Sequence, residues 1–320
     1  MPEGHLGHSL FAGHFRGNVE PPARAPAPDA WRVPQCYPAG AAEPVDVMSH
    51  KYTLEFLFLL LAIAMSVVGF SSLYTGEQTG PDAYQALHII TSFTWLLLLL
   101  GQLVVVRQHR FHLHRTVGMS IFFAGPVLVA TLAMLSVHSA AKDAGVGRPD
   151  VLVVQNVMVT LEVALLILLG FVLRRNRSIH GSLLMSTALL FLGIALFFTL
   201  ISYVPGYRIE GPETFSRFAD AAQASSIVGS LVGLGLFLAR RRTGWPWLLT
   251  GSFFFANGFL QMFVARTDRT KALTQLVASI GRAPAFALGL TIFAALLWMA
   301  WRVEPARRKT NVLVTTAGPA

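Results

Sequence analysis

Long, continuous apolar runs dominate the pattern of hydrophobic and polar positions along this chain. Eight of them cover residues 56–75, 84–106, 116–137, 152–173, 182–204, 222–239, 247–264 and 284–301. Each is close to the roughly 20 residues that a helix needs to cross the hydrocarbon core of a membrane. The runs do not alternate between apolar and polar residues, which is the pattern of a membrane β-barrel. We therefore predict an all-α fold, a polytopic transmembrane bundle of about eight helices.

Composition agrees with this prediction and excludes several classes of protein. Of the 320 residues, 54% are apolar and 13% are charged, and the mean hydropathy is +0.57. A soluble globular chain carries roughly 25% charged residues, so the composition argues against a water-soluble enzyme. The single Cys excludes a disulfide framework and thiolate clusters that bind zinc or iron–sulfur centres.

The two ends of the chain differ from its centre. Residues 1–50 are rich in Pro, Ala and Gly and lack an apolar run of signal-peptide length, so we expect a disordered N-terminal tail. Translation from Met48 is an alternative, because that residue leads directly into the first apolar run. Residues 51–304 then form the transmembrane bundle, and residues 305–320 form a basic C-terminal tail.

The charged residues between the runs predict an orientation. If residue 51 lies inside the cell, the cytoplasmic segments collect 14 Lys and Arg residues against two acids, and the outer segments collect eight bases and eight acids. This asymmetry predicts that both termini are cytoplasmic. We accordingly expect a bacterial inner (plasma) membrane protein that contacts the lipid bilayer. Because the basic residues are spread over helix ends, we do not expect a nucleic-acid partner.

Glu162 is the ionisable residue that the pattern places deepest in the membrane. It falls at the middle of the fourth run, and Gln155 lies two turns earlier on nearly the same face. Charged groups at this depth are costly and mark proton or ion pathways. The alternative is a protonated carboxyl that only bonds a neighbouring helix, because a neutral acid in lipid costs far less than a carboxylate.

Histidines form a second group of candidates. On the predicted topology His88 and His138 share one face of the membrane, and His114 and His180 share the other. Two facing His residues are what a bis-imidazole haem b site requires. The alternative is that these residues anchor helix ends on lipid headgroups, as in the basic segment that spans residues 107–115. We keep all four as candidate haem ligands and assign no catalytic residue.

Two short turns resemble known membrane families. They read His114-Arg115-Thr-Val-Gly118 and Arg177-Ser-Ile-His180-Gly181-Ser-Leu-Leu-Met185. They resemble turns of small uncharacterised bacterial multi-helix membrane families. Over about residues 84–204 the chain is also loosely similar to the transmembrane di-haem cytochrome b reductase family, whose core is four helices with one His on each. The resemblance implies haem b, with His88, His114 and His180 as ligands.

The resemblance is incomplete at the fourth span. That span carries Glu162 and no His, while His138 belongs to the third span. One complete family-like pair therefore survives, His114 with His180.

Other polar and small residues of the spans predict helix packing. Gly229 and Gly233 form a Gly-x-x-x-Gly motif that allows two helix backbones to approach closely. Asn257 and Gln261 lie one turn apart and should form hydrogen bonds across the bundle. Pro126 falls inside the third span and should kink it.

Three functional hypotheses remain open after the sequence is read. The first is electron transfer through haem b, with a redox partner or quinone. The second is a proton- or cation-coupled transporter or channel that uses Glu162 and Gln155. The third is a membrane scaffold or assembly factor without chemistry. The sequence contains no Walker loop, dinucleotide fingerprint, His-Glu-x-x-His or Gly-x-Ser-x-Gly motif, so ATP hydrolysis and these hydrolase chemistries are unsupported.

Overall fold

The protein is an all-α bundle in the computed structural model, which describes residues 52–75 and 80–302. These ranges contain ten α-helices and one short 3₁₀ helix, Pro212–Thr214. The helices are α1 (Thr53–Thr75), α2 (Ala83–Arg107), α3 (Phe111–Gly118), α4 (Ile121–Gly145), α5 (Val153–Val172), α6 (Arg177–Tyr203), α7 (Arg217–Ala239), α8 (Trp245–Arg266), α9 (Thr270–Ser279) and α10 (Arg282–Arg302). The predicted tails, including Met48, lie outside the described residues.

Eight of the helices are long and apolar enough to cross a membrane, which confirms the predicted bundle. They are α1, α2, α4, α5, α6, α7, α8 and α10. Large apolar side chains such as Leu57, Phe123, Phe255 and Phe259 are exposed on them. Water would penalise such a surface, whereas lipid accommodates it. The protein is therefore an integral membrane protein.

The start of the third span was predicted wrongly. The apolar run was expected to begin at residue 116, but the transmembrane helix begins at Ile121. Residues 111–118 form the separate helix α3, which follows His109 with its positive φ of 58°. Phe111 and Leu113 of α3 are exposed, as expected for a short helix at a membrane surface.

The loops gather at two ends of the bundle. We call the end that holds residues 108–120, 173–176 and 240–244 the basic end, and the end that holds residues 146–152, 204–216 and 267–281 the mixed end. At the basic end, the Arg174 guanidinium donates to the carbonyl oxygens of Ala300 (2.9 Å) and Trp301 (3.1 Å). There too, the Arg240 guanidinium pairs with the Glu55 carboxylate at 2.9 Å. These contacts agree with eight spans that run in alternating directions through the bundle. Which of the two ends faces the cytoplasm stays a prediction.

Helix α5 packs between two groups of helices. One group surrounds α4, which contacts α2, α9 and α10, and the other surrounds α6, which contacts α1, α7 and α8. Helix α5 contacts both α4 and α6 and reaches α8, α9 and α10 as well. A residue at the centre of α5 is therefore screened from lipid by several neighbouring helices.

Glycines set the closest helix contacts. A Cβ at Gly233 of α7 would lie 2.8 Å from the carbonyl oxygen of Trp247 and 2.9 Å from the Cα of Gly251, both in α8. Such separations are too short for a real carbon atom, so only glycine permits this approach. The packing role that the sequence predicts for the Gly-x-x-x-Gly motif is confirmed at Gly233.

Replacing Gly233 with Ala should destabilise the protein, because the new methyl group would push the α7 and α8 backbones apart. Overpacking of this kind costs about 1–3 kcal/mol. The matched control is Gly235→Ala on the same helix, where a Cβ would meet nothing within 4 Å. Thermal unfolding in mild detergent should show a lower transition for G233A and an unchanged or higher transition for G235A. Equal transitions would contradict the packing role.

Candidate functional site

Glu162 lies at the centre of α5, where the apolar pattern predicts it. It is the tenth of the 20 residues of this helix, about 15 Å from either end. The residue is 3% exposed, and its neighbours Val159, Val163 and Leu166 are buried apolar residues. A carboxyl group therefore sits in the apolar interior of the bundle.

The hydrogen-bond partner of Glu162 is Asn257 of α8. The Asn257 amide nitrogen Nδ2 donates to Glu162 Oε2 at 3.3 Å, and Asn257 is 1% exposed. The prediction that Asn257 bonds across the bundle is thus confirmed. Because the partner is a neutral amide, this bond brings no positive charge to the carboxyl group.

The two remaining oxygens of the Glu162–Asn257 pair bear on the protonation state of the acid. Glu162 Oε1 and Asn257 Oδ1 are buried and have no hydrogen-bond partner among the described residues. Both are acceptors if Glu162 is ionised, and each unsatisfied acceptor costs about 1–3 kcal/mol. A proton on Oε1 changes this atom into a donor beside the amide that already binds Oε2. Protonation therefore replaces one unsatisfied acceptor of the pair by a donor, for which Asn257 Oδ1 is an acceptor without a partner among the described residues.

Two glutamines lie nearer the mixed end. Gln155 is half-buried two turns before Glu162, and the hydrogen bond of Glu162 goes to Asn257 rather than to Gln155. The supporting role of Gln155 stays a prediction. Gln261, one turn beyond Asn257 on α8, donates to the Val151 carbonyl oxygen, which confirms its predicted bond across the bundle. Between these amides, apolar side chains of α5 and α8 such as Val157, Met158 and Leu260 pack in one cluster.

His114 and His180 both lie at the basic end of the bundle, and their pairing stays a prediction. His114 lies on α3 and His180 on α6, and both are half-buried. Burial lowers the pKa of His114, and the charge that His180 can carry lowers it further. Both effects favour the neutral form of His114.

Hydrogen bonds assign a proton position to each ring of this pair. His180 Nδ1 lies 2.8 Å from the Gly170 carbonyl oxygen, which only accepts, so Nδ1 carries the proton and Nε2 keeps a free lone pair. The Gln102 amide is oriented by backbone groups with fixed roles. Its oxygen accepts from Gly118 N at 3.1 Å, and its nitrogen donates to the His114 carbonyl oxygen at 3.1 Å and to His114 Nδ1. Neutral His114 consequently carries its proton on Nε2.

This arrangement suits haem iron at one ring only. A free Nε2 lone pair with Nδ1–H bound to a carbonyl oxygen is the state of a metal-binding His, which fits His180. Nε2 of His114 is protonated instead, so His114 does not fit as the second axial ligand unless the Gln102 amide turns over. The haem hypothesis for this pair stays a prediction.

His88 and His138 lie near the mixed end on the neighbouring helices α2 and α4. His88 is buried, with Nε2 3.3 Å from the Ser92 hydroxyl of its own helix. His138 Nε2 lies 2.5 Å from the Asp82 carboxylate. Its ring packs against that of Tyr84 with centroids 4.9 Å apart and an interplanar angle of 30°. Nδ1 of each ring is buried without a partner among the described residues. Their role as a second haem pair also stays a prediction.

Asp82 joins the start of α2 to α4. Its Oδ1 accepts from the backbone N–H groups of Tyr84 and Gln85, both at 3.0 Å, and the Gln85 side chain completes a capping box. Burial alone would raise the pKa of Asp82. The Gln85 N–H, the charge and hydrogen bond of His138 and the Tyr84 N–H together lower this pKa below its usual value.

Asp150 has a buried carboxyl group, whereas the sequence predicts only a charged residue in a loop between two spans. It is 2% exposed beneath α9, and its backbone N–H donates to the Thr274 hydroxyl at 3.0 Å. Burial raises the pKa of Asp150, and the N–H of Leu152 and the Ser139 hydroxyl oppose this rise. Its position shortly before an apolar run gave no signal of burial, because α9 is too short to be read as a span.

Replacing Asp82 with Ala should lower the thermal stability at neutral pH by an amount typical of a lost cap, about 1 kcal/mol. A carboxyl whose folded-state pKa is lowered stabilises the fold above its unfolded pKa, and this contribution is lost as the pH falls through the folded value. The difference between D82A and the unaltered protein should therefore shrink below about pH 4. Asp220→Ala, an exposed acid in the first turn of α7, is the control. A difference that does not change with pH would contradict this assignment.

The haem hypothesis predicts a Soret and α-band change in the dithionite-reduced minus oxidised spectrum of protein purified in mild detergent. His180→Ala should remove this change, because Nε2 of His180 is the available ligand, whereas His112→Ala should not, because His112 is exposed. Protein expressed with ample haem that shows no such change would exclude the hypothesis.

Comparisons of the chain with family models, with curated proteins and with solved structures found no match. The resemblance to the di-haem cytochrome b reductase family therefore stays a prediction. What the protein does is inferred below from its buried polar groups.

Proposed function

We propose that this protein is a proton-coupled membrane transporter or channel in which Glu162 binds and releases the proton. The observation that carries the proposal is the pair of unpartnered oxygens on Glu162 and Asn257 at the centre of the bundle. A proton on Oε1 replaces one unsatisfied acceptor by a donor and removes a charge from the middle of the membrane. Proton binding is thus the chemistry for which this pair is built.

The chemistry of the pair favours a proton over a metal cation. Hard cations take about six oxygen ligands, and the smallest of them keep several waters. The pair offers two free oxygens, and the described residues contain no group of three or more His, Cys, Asp or Glu side chains that could hold a metal. A proton needs only one carboxyl oxygen, and Glu162 Oε1 is buried without a partner among the described residues.

Release of the proton supplies the coupling step. The O–H bond of Glu162 breaks, the proton passes to a water molecule that reaches the acid, and a carboxylate remains. A carboxylate in an apolar, buried site is costly, so the deprotonated state favours a rearrangement that brings water or a counter-charge to it. Asn257 belongs to α8 and Glu162 to α5, so breaking their bond frees two helices to move relative to each other.

A scaffold without chemistry would keep the same pair as a static bond between helices. The two functions differ in whether Glu162 exchanges its proton with water. A rapid pH change therefore separates them without any knowledge of the transported substrate.

Replacing Glu162 with Gln should leave the fold intact and abolish proton binding. A Gln amide can donate to Asn257 Oδ1 and accept from Nδ2, so it reproduces the protonated acid, and its thermal transition at neutral pH should match that of the unaltered protein. On a solid-supported membrane, a pH jump should displace charge in the unaltered protein and not in E162Q. The matched control is Glu55→Gln, a second buried Glu whose ion pair with Arg240 lies at the basic end.

Two results would contradict the proposal. A charge displacement in E162Q equal to that of the unaltered protein would exclude Glu162 as the proton site. No displacement in the unaltered protein, reconstituted in folded form, would favour the scaffold. Proteoliposomes with candidate substrates should show pH-coupled flux that is likewise lost in E162Q.

A further inference from the structure

The basic end of the bundle carries many arginines and very little acid. Within residues 52–75 and 80–302, the arginines at this end are Arg107, Arg110, Arg115, Arg174, Arg175, Arg177, Arg240, Arg241, Arg242 and Arg302. Glu55 is the one acid of these ranges at this end, and both of its carboxylate oxygens lie 2.9 Å from Arg240 Nη2. The described residues of the basic end therefore carry a large net positive charge.

The last turn of α10 places an arginine above a lipid-facing surface. The exposed apolar residues of this helix recur three or four positions apart and form one stripe: Leu288, Ile292, Leu296 and Met299. Trp298, beside this stripe, is 54% exposed, and the Arg302 guanidinium lies over its ring, 4.3 Å from the centroid. Exposed Trp side chains and the charged ends of Arg side chains gather at the level of the lipid headgroups. Arg302 is therefore placed where it can contact lipid phosphates.

The short helix α3 holds a second arginine at the same end. The Gln102 amide fixes α3 against the bundle, because it accepts from the Gly118 N–H and donates to the His114 carbonyl oxygen, both at 3.1 Å. Arg110, which directly precedes α3, is exposed, and Phe111 is 46% exposed. A charged and an apolar side chain thus stand next to each other on a fixed helix at the membrane surface.

Helix α4 connects these two arginine-bearing segments. It begins two residues after α3 and packs along α10, and the Phe122 ring lies 5.3 Å from the Trp301 ring between centroids. The next side chain, Phe123, is 76% exposed. A phospholipid brings a phosphate and acyl chains together, so it matches a surface that combines arginines with exposed apolar residues. An acidic soluble protein would match the charge only.

We propose that Arg110 and Phe111 at α3, together with Trp298 and Arg302 of α10, form a binding surface for anionic phospholipids of the leaflet at the basic end. The guanidinium groups contact the phosphates, and the acyl chains lie along Phe123 and the apolar stripe of α10. A zwitterionic phosphatidylcholine offers the same chains, but its choline group opposes the arginines. The surface therefore selects by headgroup charge, and it does so whether or not Glu162 exchanges a proton.

The test is native mass spectrometry of the full chain in mild detergent, titrated with phosphatidylglycerol or phosphatidylcholine that have the same acyl chains. The unaltered protein should bind phosphatidylglycerol at least about fivefold more tightly. Arg110→Gln and Arg302→Gln should each weaken phosphatidylglycerol binding by about fivefold, which corresponds to about 1 kcal/mol for one Arg at the membrane surface. Neither substitution should change the binding of phosphatidylcholine.

Two arginines of the mixed end supply the matched controls. Arg266→Gln and Arg269→Gln remove the same charge from exposed positions, and the preference for phosphatidylglycerol should survive in both. Glycerol phosphate, which has the phosphate and no acyl chains, should not displace phosphatidylglycerol at an equal concentration. Thermal transitions show whether each variant is folded, and the comparison of the two lipids on the unaltered protein needs no variant.

Four results would overturn the proposal. Equal affinities of the unaltered protein for the two lipids would leave the basic end to an acidic soluble partner. A preference that persists undiminished in folded R110Q/R302Q would place the lipid elsewhere. An equal loss in R266Q/R269Q would show that total charge, and not this surface, sets the preference. Displacement by glycerol phosphate would show a site for free phosphate.

Discussion

A carboxyl group at the centre of a membrane must be neutral, or must be supplied with water or an opposite charge. This constraint applies to Glu162, at the centre of α5, and to the helices that pack around it. Glu162 meets it through a single amide, Asn257, rather than through a cation. The amide of Asn257 offers two N–H donors and one acceptor oxygen, and a protonated acid can use both kinds of group, whereas a carboxylate uses only the donors. An amide partner therefore suits the neutral acid better than a carboxylate, and the helix that supplies it, α8, is held against α7 by the glycine contact at Gly233.

The transmembrane spans could be predicted from the sequence because the cost of exposing polar backbone and side chains to lipid leaves a strong, continuous signal. The two short helices left no such signal. Residues 116–120 contain enough apolar side chains to extend the following run, so the break after Gly118 was missed. Helix α9 has only ten residues, and it is held in place by contacts such as that of Thr274 with Asp150, which no local pattern encodes.

The candidate site could be predicted in part. Glu162 could be predicted from its position at the middle of an apolar span. Asn257 could be predicted to bond across the bundle because it and Gln261 lie one turn apart on the same span. Each of these inferences needs the sequence of one helix only. Their pairing did not follow, since it joins residues 95 positions apart through the packing of α5 on α8. The protonation of the His pair was also out of reach, because it depends on a backbone carbonyl of Gly170 and on the orientation of the Gln102 amide.

The two groups of candidates that the sequence offered, the buried acid and the paired histidines, occupy different parts of the same helix bundle. Gly170, which orients His180, lies eight residues beyond Glu162 on α5, about 12 Å further towards the basic end. The segment between them, residues 163–169, is entirely apolar. Protons and electrons move between polar or redox-active groups, so an apolar segment of this length separates the acid from the histidines. The two groups are therefore independent candidate sites, and a result on haem at His180 does not decide proton exchange at Glu162.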